Sequence, residues 1–230
     1  MSKVVVVAID GPAGAGKSTV ARTVAAKLGY VYINSGAMYR AVALWALRLT
    51  MDLTDHLKLT QLAEHARIEF QPGSTRVLLN NEDVSEAIGD REVSEAASIV
   101  SAVPGVRRAL VAEQRRIAEG TSVVMEGRDI GTVVFPNAEV KIFLDADVQV
   151  RAGRRSRELE ARGQSADLGE IAAQIVERDK RDSTRAEAPM TQAPDAMYVD
   201  STGLGPEEVA DEILRVVRSK VSNGKDVERS

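Results

Sequence analysis

Five short apolar runs punctuate the chain, at residues 4–9, 30–33, 122–125, 140–144 and 197–199. Four are rich in β-branched or aromatic side chains and lack polar alternation, as strands covered on both faces require; the run at 197–199 is weaker. Between them the period lengthens to that of a helix. Residues 17–28 carry small and apolar side chains at helical spacing and stop at Gly29. Residues 106–119 stop likewise at Gly120, and residues 206–217 begin with Pro206, a residue suited to a first helical turn. This alternation predicts an α/β fold, a three-layer sandwich around a five-stranded parallel sheet.

Residues 50–103 interrupt the alternation. Stretches 67–71 and 76–79 are strand-like and flank Pro72-Gly73-Ser74, a turn signal. Asn80-Asn81 predicts a second turn, with Asp83-Val84 as a short third strand. The block reads as an inserted α+β region between the second and third core strands, leaving 1–49 and 104–218 as the core. Residues 219–230 are polar and without periodicity, and a disordered tail is expected there.

Composition narrows the function. At 230 residues the chain suits one α/β domain with one insertion and is short for two independent domains. A net charge of −4 offers no basic field for a nucleic-acid polymer. With no cysteine, disulfides and thiolate metal sites are excluded. The run at 4–9 is too short to span a membrane and no small-residue cleavage site follows it, so a cytoplasmic protein without a membrane partner is expected. No surface stripe suggests self-association, and a monomer is expected.

Candidate chemistry starts at Gly11-Pro12-Ala13-Gly14-Ala15-Gly16-Lys17-Ser18, followed by Thr19. This matches G-x-x-x-x-G-K-[ST] in full, between a predicted strand and a predicted helix. Glycines let the backbone curl so that several N–H groups point at one anion, and the helix N-terminus adds its positive end. Lys17 supplies a charge for the β and γ phosphates of ATP or GTP, and the Ser18 hydroxyl can join a Mg²⁺ shell. The loop alone does not separate an ATPase, a GTP switch and a kinase. Asn223-Gly224-Lys225-Asp226 has the wrong spacing for a guanine reader, and the third strand ends in Glu126 rather than the Asp-Glu of motor ATPases.

A second set of anion binders favours a kinase. Between Arg151 and Arg185 there are nine cations against seven acids, in a protein that is acidic overall. Transfer between two phosphates gathers negative charge in a small space, and arginine neutralises it through planar, bidentate contacts. In a helix, Arg178, Asp182 and Arg185 share one face at i, i+4 and i+7. Glu158 and Arg162 read better as a solvated i, i+4 pair. His56 and His65 have no partner in sequence suggesting a metal pair.

Taken in order, several motifs resemble those of bacterial-type cytidylate kinases, members of the P-loop nucleoside monophosphate kinases, over all of the chain but its tail. They are Asp10 through Thr19, Ser35-Gly36-Ala37-Met38-Tyr39-Arg40, Glu126-Gly127-Arg128-Asp129-Ile130-Gly131-Thr132-Val133-Val134-Phe135-Pro136, Lys141-Ile142-Phe143-Leu144-Asp145-Ala146, and Glu177-Arg178-Asp179 through Arg185-Ala186. The resemblance implies a P-loop sandwich in which 50–103 is the acceptor-nucleotide region and about 151–165 a short lid. It implies transfer of the γ-phosphoryl of ATP to CMP or dCMP, with Mg²⁺. Lys17, Arg128, Arg155 and Asp129 would be catalytic, with Arg151 beside Arg155 over the transferring group. Ser35, Arg40, Ser98, Arg107, Arg128, Asp129, Arg178, Asp182 and Arg185 would bind the acceptor. Tyr39 reads as packing. A kinase for UMP or a metabolite, and a binding module without turnover, stay open. Asn34 departs from the family, which often has Asp there; an amide cannot act as a charged ligand, so Asp10, Glu126 or Asp129 would have to supply that carboxylate.

Overall fold

The computed structural model of the chain describes residues 4–70, 74–161, 163–164 and 167–226. Its elements are β1 (Val6–Asp10), α1 (Lys17–Leu28), β2 (Val31–Asn34), α2 (Ser35–Arg48), α3 (His56–His65), β3 (Ile68–Phe70), β4 (Val77–Leu79), β5 (Glu82–Asp83), α4 (Arg91–Val100), α5 (Pro104–Ile117), β6 (Val123–Glu126), β7 (Val140–Asp145), α6 (Val148–Glu160), α7 (Leu168–Thr184), β8 (Met197–Asp200) and α8 (Pro206–Asp226). All five apolar runs become strands of one sheet in the order β2-β6-β1-β7-β8. The chain divides into two compact units, Met1–Tyr30 with Ser122–Ser230, and Val31–Thr121. The block expected at 50–103 lies inside the second unit, which also takes in α2 and α5.

In the first unit β1 is central. It runs parallel to β6, with Val7 opposite Val124, and to β7, with Ile9 opposite Ile142. Val7, Ala8, Ile9, Val123, Val124 and Met125 are fully buried, which is why these strands show no polar alternation. Among the described residues β8 pairs with β7 alone, and Tyr198, half exposed, stacks on Phe143 with ring centroids 6.3 Å apart. An edge position explains its weaker apolar signal. Helix α1 packs on α8, and Lys27 of α1 pairs with Glu207 and Asp211 of α8 at 2.9 and 3.0 Å. Helix α1 ends at Gly29 in the left-handed conformation (φ 67°), so its predicted stop is a true C-cap. Helix α8 continues to Asp226, which corrects the tail expected from residue 219; residues 227–230 lie outside the described residues.

The second unit has its own core. Met38, Ala41, Val42, Ala43 and Ala46 of α2 are buried together with side chains of α4 and α5. Strands β3, β4 and β5 form a separate antiparallel sheet. Asn80 and Asn81 both have positive φ (50° and 69°) between β4 and β5, the two-residue hairpin geometry that Asn tolerates. The turn expected at Pro72-Gly73-Ser74 lies, apart from Ser74, outside the described residues. Helix α5 begins at Pro104, two residues before its predicted start.

Asn34 has a local task. Its side-chain oxygen accepts from the Ala37 backbone N–H at 2.9 Å and caps α2. Asn34→Ala should therefore destabilise the protein by about 1 kcal/mol, whereas Asn34→Asp, which keeps the cap, should leave stability unchanged. Urea unfolding of both variants checks this, and equal stability of Asn34→Ala and the parent would refute it.

Candidate active site

The loop between β1 and α1 is shaped by close packing. Gly11 has φ 143°, and a Cβ there would lie 1.9 Å from the Leu144 carbonyl oxygen, so only glycine fits. A Cβ on Gly14 would lie 3.0 Å from the Arg151 Cβ. Carbonyls of the loop are tied outward. Arg151 donates to Ala13 O at 3.1 Å and to Ala146 O at 2.9 Å. Arg154 donates to Ala15 O at 3.2 Å and to Ser201 O at 2.7 Å, and the Ser201 hydroxyl donates to Ala15 O at 3.1 Å. With the Pro12, Ala13 and Ala15 carbonyls occupied and the Ala13 N–H held by Asp179 at 3.3 Å, the other N–H groups of the loop are left to meet an anion.

Lys17 is buried, and its ammonium donates to Pro12 O at 2.6 Å. Burial pushes the ammonium down to about 7; nearby Arg128 and Arg178 push the same way, against the pull of Glu126 and Asp10. Asp10, the last residue of β1, accepts from the Ile130 N–H at 2.8 Å and from the Gly131 N–H at 2.7 Å. Burial lifts the Asp10 carboxyl to about 6 against these two hydrogen bonds, with Asp129 adding to the rise. Because both oxygens already hold amides, Asp10 fastens the β6 turn to the loop strand.

That turn is of π type. Val134 N–H and Phe135 N–H donate five residues back, to Asp129 O at 3.2 Å and Ile130 O at 2.7 Å. Wide turns of this kind recur at functional sites. Here the turn follows Arg128 and Asp129. Arg128 Nε donates to Asp182 at 2.9 Å, and Arg185 reaches Asp129 at 3.5 Å and Asp182 at 3.9 Å. Burial pushes Asp182 up, but Arg128 and Arg178, joined by Arg185, hold it below the usual carboxylate range. Thus Arg128, Asp129, Asp182 and Arg185 form one charge network, and Arg178 and Lys17 share its field.

Other candidates are placed differently. Arg151 is bound to the loop and to Asp179 of α7, so it supports the loop rather than reaching over a transferring group. Arg155 lies on α6 and pairs with Glu158 at 3.1 Å. Arg162 and residue 165, within the expected lid, are outside the described residues. In the second unit, Ser35 is the buried first residue of α2. Arg107 is buried, donates to Ser101 O at 3.3 Å, and lies 5.5 Å from the centre of the Tyr39 ring, so Tyr39 serves as a cation–π platform. The Ser98 hydroxyl oxygen is buried with no hydrogen-bond partner among the described residues. Arg40 is half-buried on α2. The roles of Arg154, Asp179 and Ser201 were not foreseen; their residue types and spacing carry no signal of contact with a loop more than a hundred residues away.

The cytidylate kinase family model matches residues 7–219. A protein from Solibacter usitatus (strain Ellin6076) named cytidylate kinase is 58% identical over 97% of each chain. The chain belongs to the cytidylate kinase family. Another protein of that name, from Geobacillus kaustophilus (strain HTA426), is 48% identical over 96% of this chain and all of its own. In backbone, an uncharacterized protein from Eubacterium ventriosum ATCC 27560 matches with a TM-score of 0.52 at 13% identity, covering 94% of this chain and 99% of that one, a likeness of fold. No helix among the described residues of this family member is long and apolar enough to cross a membrane.

Proposed function

We propose that this cytidylate kinase family member transfers the γ-phosphoryl group of ATP to CMP or dCMP, as a cytoplasmic monomer. One observation carries the reading: beyond the phosphate loop that holds the buried Lys17, Arg128 meets Asp182 at 2.9 Å and Arg185 meets Asp129 at 3.5 Å and Asp182 at 3.9 Å, a second cluster of cations whose field, through Arg128 and Arg178, reaches Lys17. Cations so crowded fit ligands that bring phosphates to both sides. In-line transfer then needs little proton chemistry. An anionic oxygen of the acceptor phosphate forms the new P–O bond, and the bond from the γ-phosphorus to the β–γ bridging oxygen breaks, leaving ADP. Positioning and charge neutralisation by Lys17, Arg128 and Arg178 carry the rate, with Arg155 a further candidate from α6.

The donor chemistry suits Mg²⁺ bound with ATP: the Ser18 hydroxyl of the loop is a hard oxygen ligand of the kind this ion prefers, as are nucleotide phosphates and waters. When bound, the ion would supply positive charge that offsets the nucleotide phosphates, with the Ser18 hydroxyl as the loop group that would hold it. Asp129 and Arg185 offer the carboxylate and guanidinium that complement the amino donor and ring acceptors of cytosine. In the second unit, the unpartnered Ser98 hydroxyl and the Arg107–Tyr39 pair suit a ligand as well; this role, and those of Ser35 and Arg40, rest on residue chemistry and family resemblance.

The deciding experiment follows ADP release from ATP with CMP, dCMP, UMP, AMP or shikimate as acceptor. Release dependent on CMP and dCMP supports the reading, and release without acceptor preference overturns it. In the same assay Asp129→Ala should raise KM for CMP at least about tenfold, the size expected when a buried polar partner of a ligand is removed, and leave KM for ATP nearly unchanged. Equal changes in both would make Asp129 a structural residue.

A further inference from the structure

Asp179 lies on α7 between Arg178 and Asp182, yet it faces a different partner. One of its carboxylate oxygens accepts from the Ala13 N–H at 3.3 Å, and the other pairs with Arg151. Arg151 in turn donates to the carbonyl of the same alanine at 3.1 Å. Both peptide planes flanking Ala13 are therefore oriented by one partly buried ion pair. Three residues on, Asp182 holds Arg128 at 2.9 Å, and Arg185, which caps α7, reaches Asp129 at 3.5 Å. A single helix thus grips the donor loop at one position and the acceptor cations at the others.

We propose that Asp179 is a positioning residue that couples the two nucleotide sites through α7. The inference rests on the phosphoryl-transfer reading above. Filling the acceptor set fixes Arg128, Asp182 and Arg185, and with them the register of α7. That register sets where the Asp179 carboxylate meets Ala13, and so how the loop amides are aimed at the donor phosphates. A side chain that merely stabilised the loop would change donor affinity to the same extent with and without acceptor. One that transmits between sites changes their linkage, which is reciprocal by thermodynamic necessity.

Calorimetric titration of the full chain with Mg²⁺ and AMP-PNP, with and without saturating CMP, measures this linkage. In the parent, CMP should tighten AMP-PNP binding by roughly 5–150-fold. Asp179→Asn, which keeps a hydrogen-bond acceptor but loses the charge that holds Arg151, should bind CMP alone as the parent does and show a factor close to unity. Should Asp179→Asn fail to fold by its melting curve, Arg151→Lys, which keeps the charge and loses the Nη1 hydrogen bond to the Ala13 carbonyl, must show the same loss. Coupling at the parental factor in either folded variant overturns the proposal, as does a parent that binds both ligands independently. A parent that binds no CMP sinks the phosphoryl-transfer reading itself.

Discussion

Lys17→Ala lowers kcat by roughly 10²–10³, the loss seen when one donor to developing charge is removed from a site built around it. The ammonium is held ready at a cost to its own charge. It is buried and flanked by Arg128 and Arg178, so without nucleotide its pKa falls to about 7. The sign of the pH effect follows. In the ligand-free protein the unfolded chain binds more protons than the folded one between about 7 and the ordinary value of 10.5, so this residue makes stability rise with pH across that window. Phosphates placed beside it restore the charged form. ATP binding at about pH 8 should therefore take up close to one proton, read as a difference in binding enthalpy between buffers of unequal ionisation enthalpy. Lys17→Ala should abolish that uptake. Turnover equal to that of the parent, or uptake unchanged in the variant, would falsify the assignment.

The fold was largely legible because its signals are local. The strand at Val6–Asp10 is an unbroken apolar run, and α1 is bounded by the loop that must precede it and by Gly29. Asn80-Asn81 marks its hairpin because few other residues accept positive φ twice. What was not legible depends on distant contacts. Against its family Asn34 stands out as the loss of a charged ligand, whereas in the structure it is a helix cap; a polar residue just before a helix start is itself a cap signal. Arg151 stands at helical spacing among other arginines, and nothing in the spacing says that its guanidinium turns back onto Ala13 and Ala146. Asp10 stands in sequence only as a carboxylate at a strand end, and nothing in the spacing says that its two oxygens hold the amides of Ile130 and Gly131. The extension of α8 past Val217 had no periodic signal beyond Val221, a single apolar residue at i+4.

Asp182→Ala should destabilise the protein by roughly 3 kcal/mol and raise KM for CMP, because it strips a buried carboxylate from two largely covered cations. Arg128 and Arg185 lie against it, and neither side chain is more than about a fifth exposed. A cation left unpaired in such a place keeps its desolvation penalty and loses the attraction that offset it. Acid makes the same change reversibly. The folded pKa of Asp182 is depressed, so its contribution is present above the unfolded value of 3.8 and is lost as pH falls through the folded value. The stability gap between the parent and Asp182→Asn should then be widest near neutrality and narrow below pH 3.8, measured as urea midpoints across an acid series. A gap that stays constant with pH would mean that the carboxylate acts by shape rather than charge. If Asp182→Asn keeps the parental KM for CMP as well, Arg128 and Arg185 do not need this partner to meet the acceptor, and the charge network described here is a feature of folding alone.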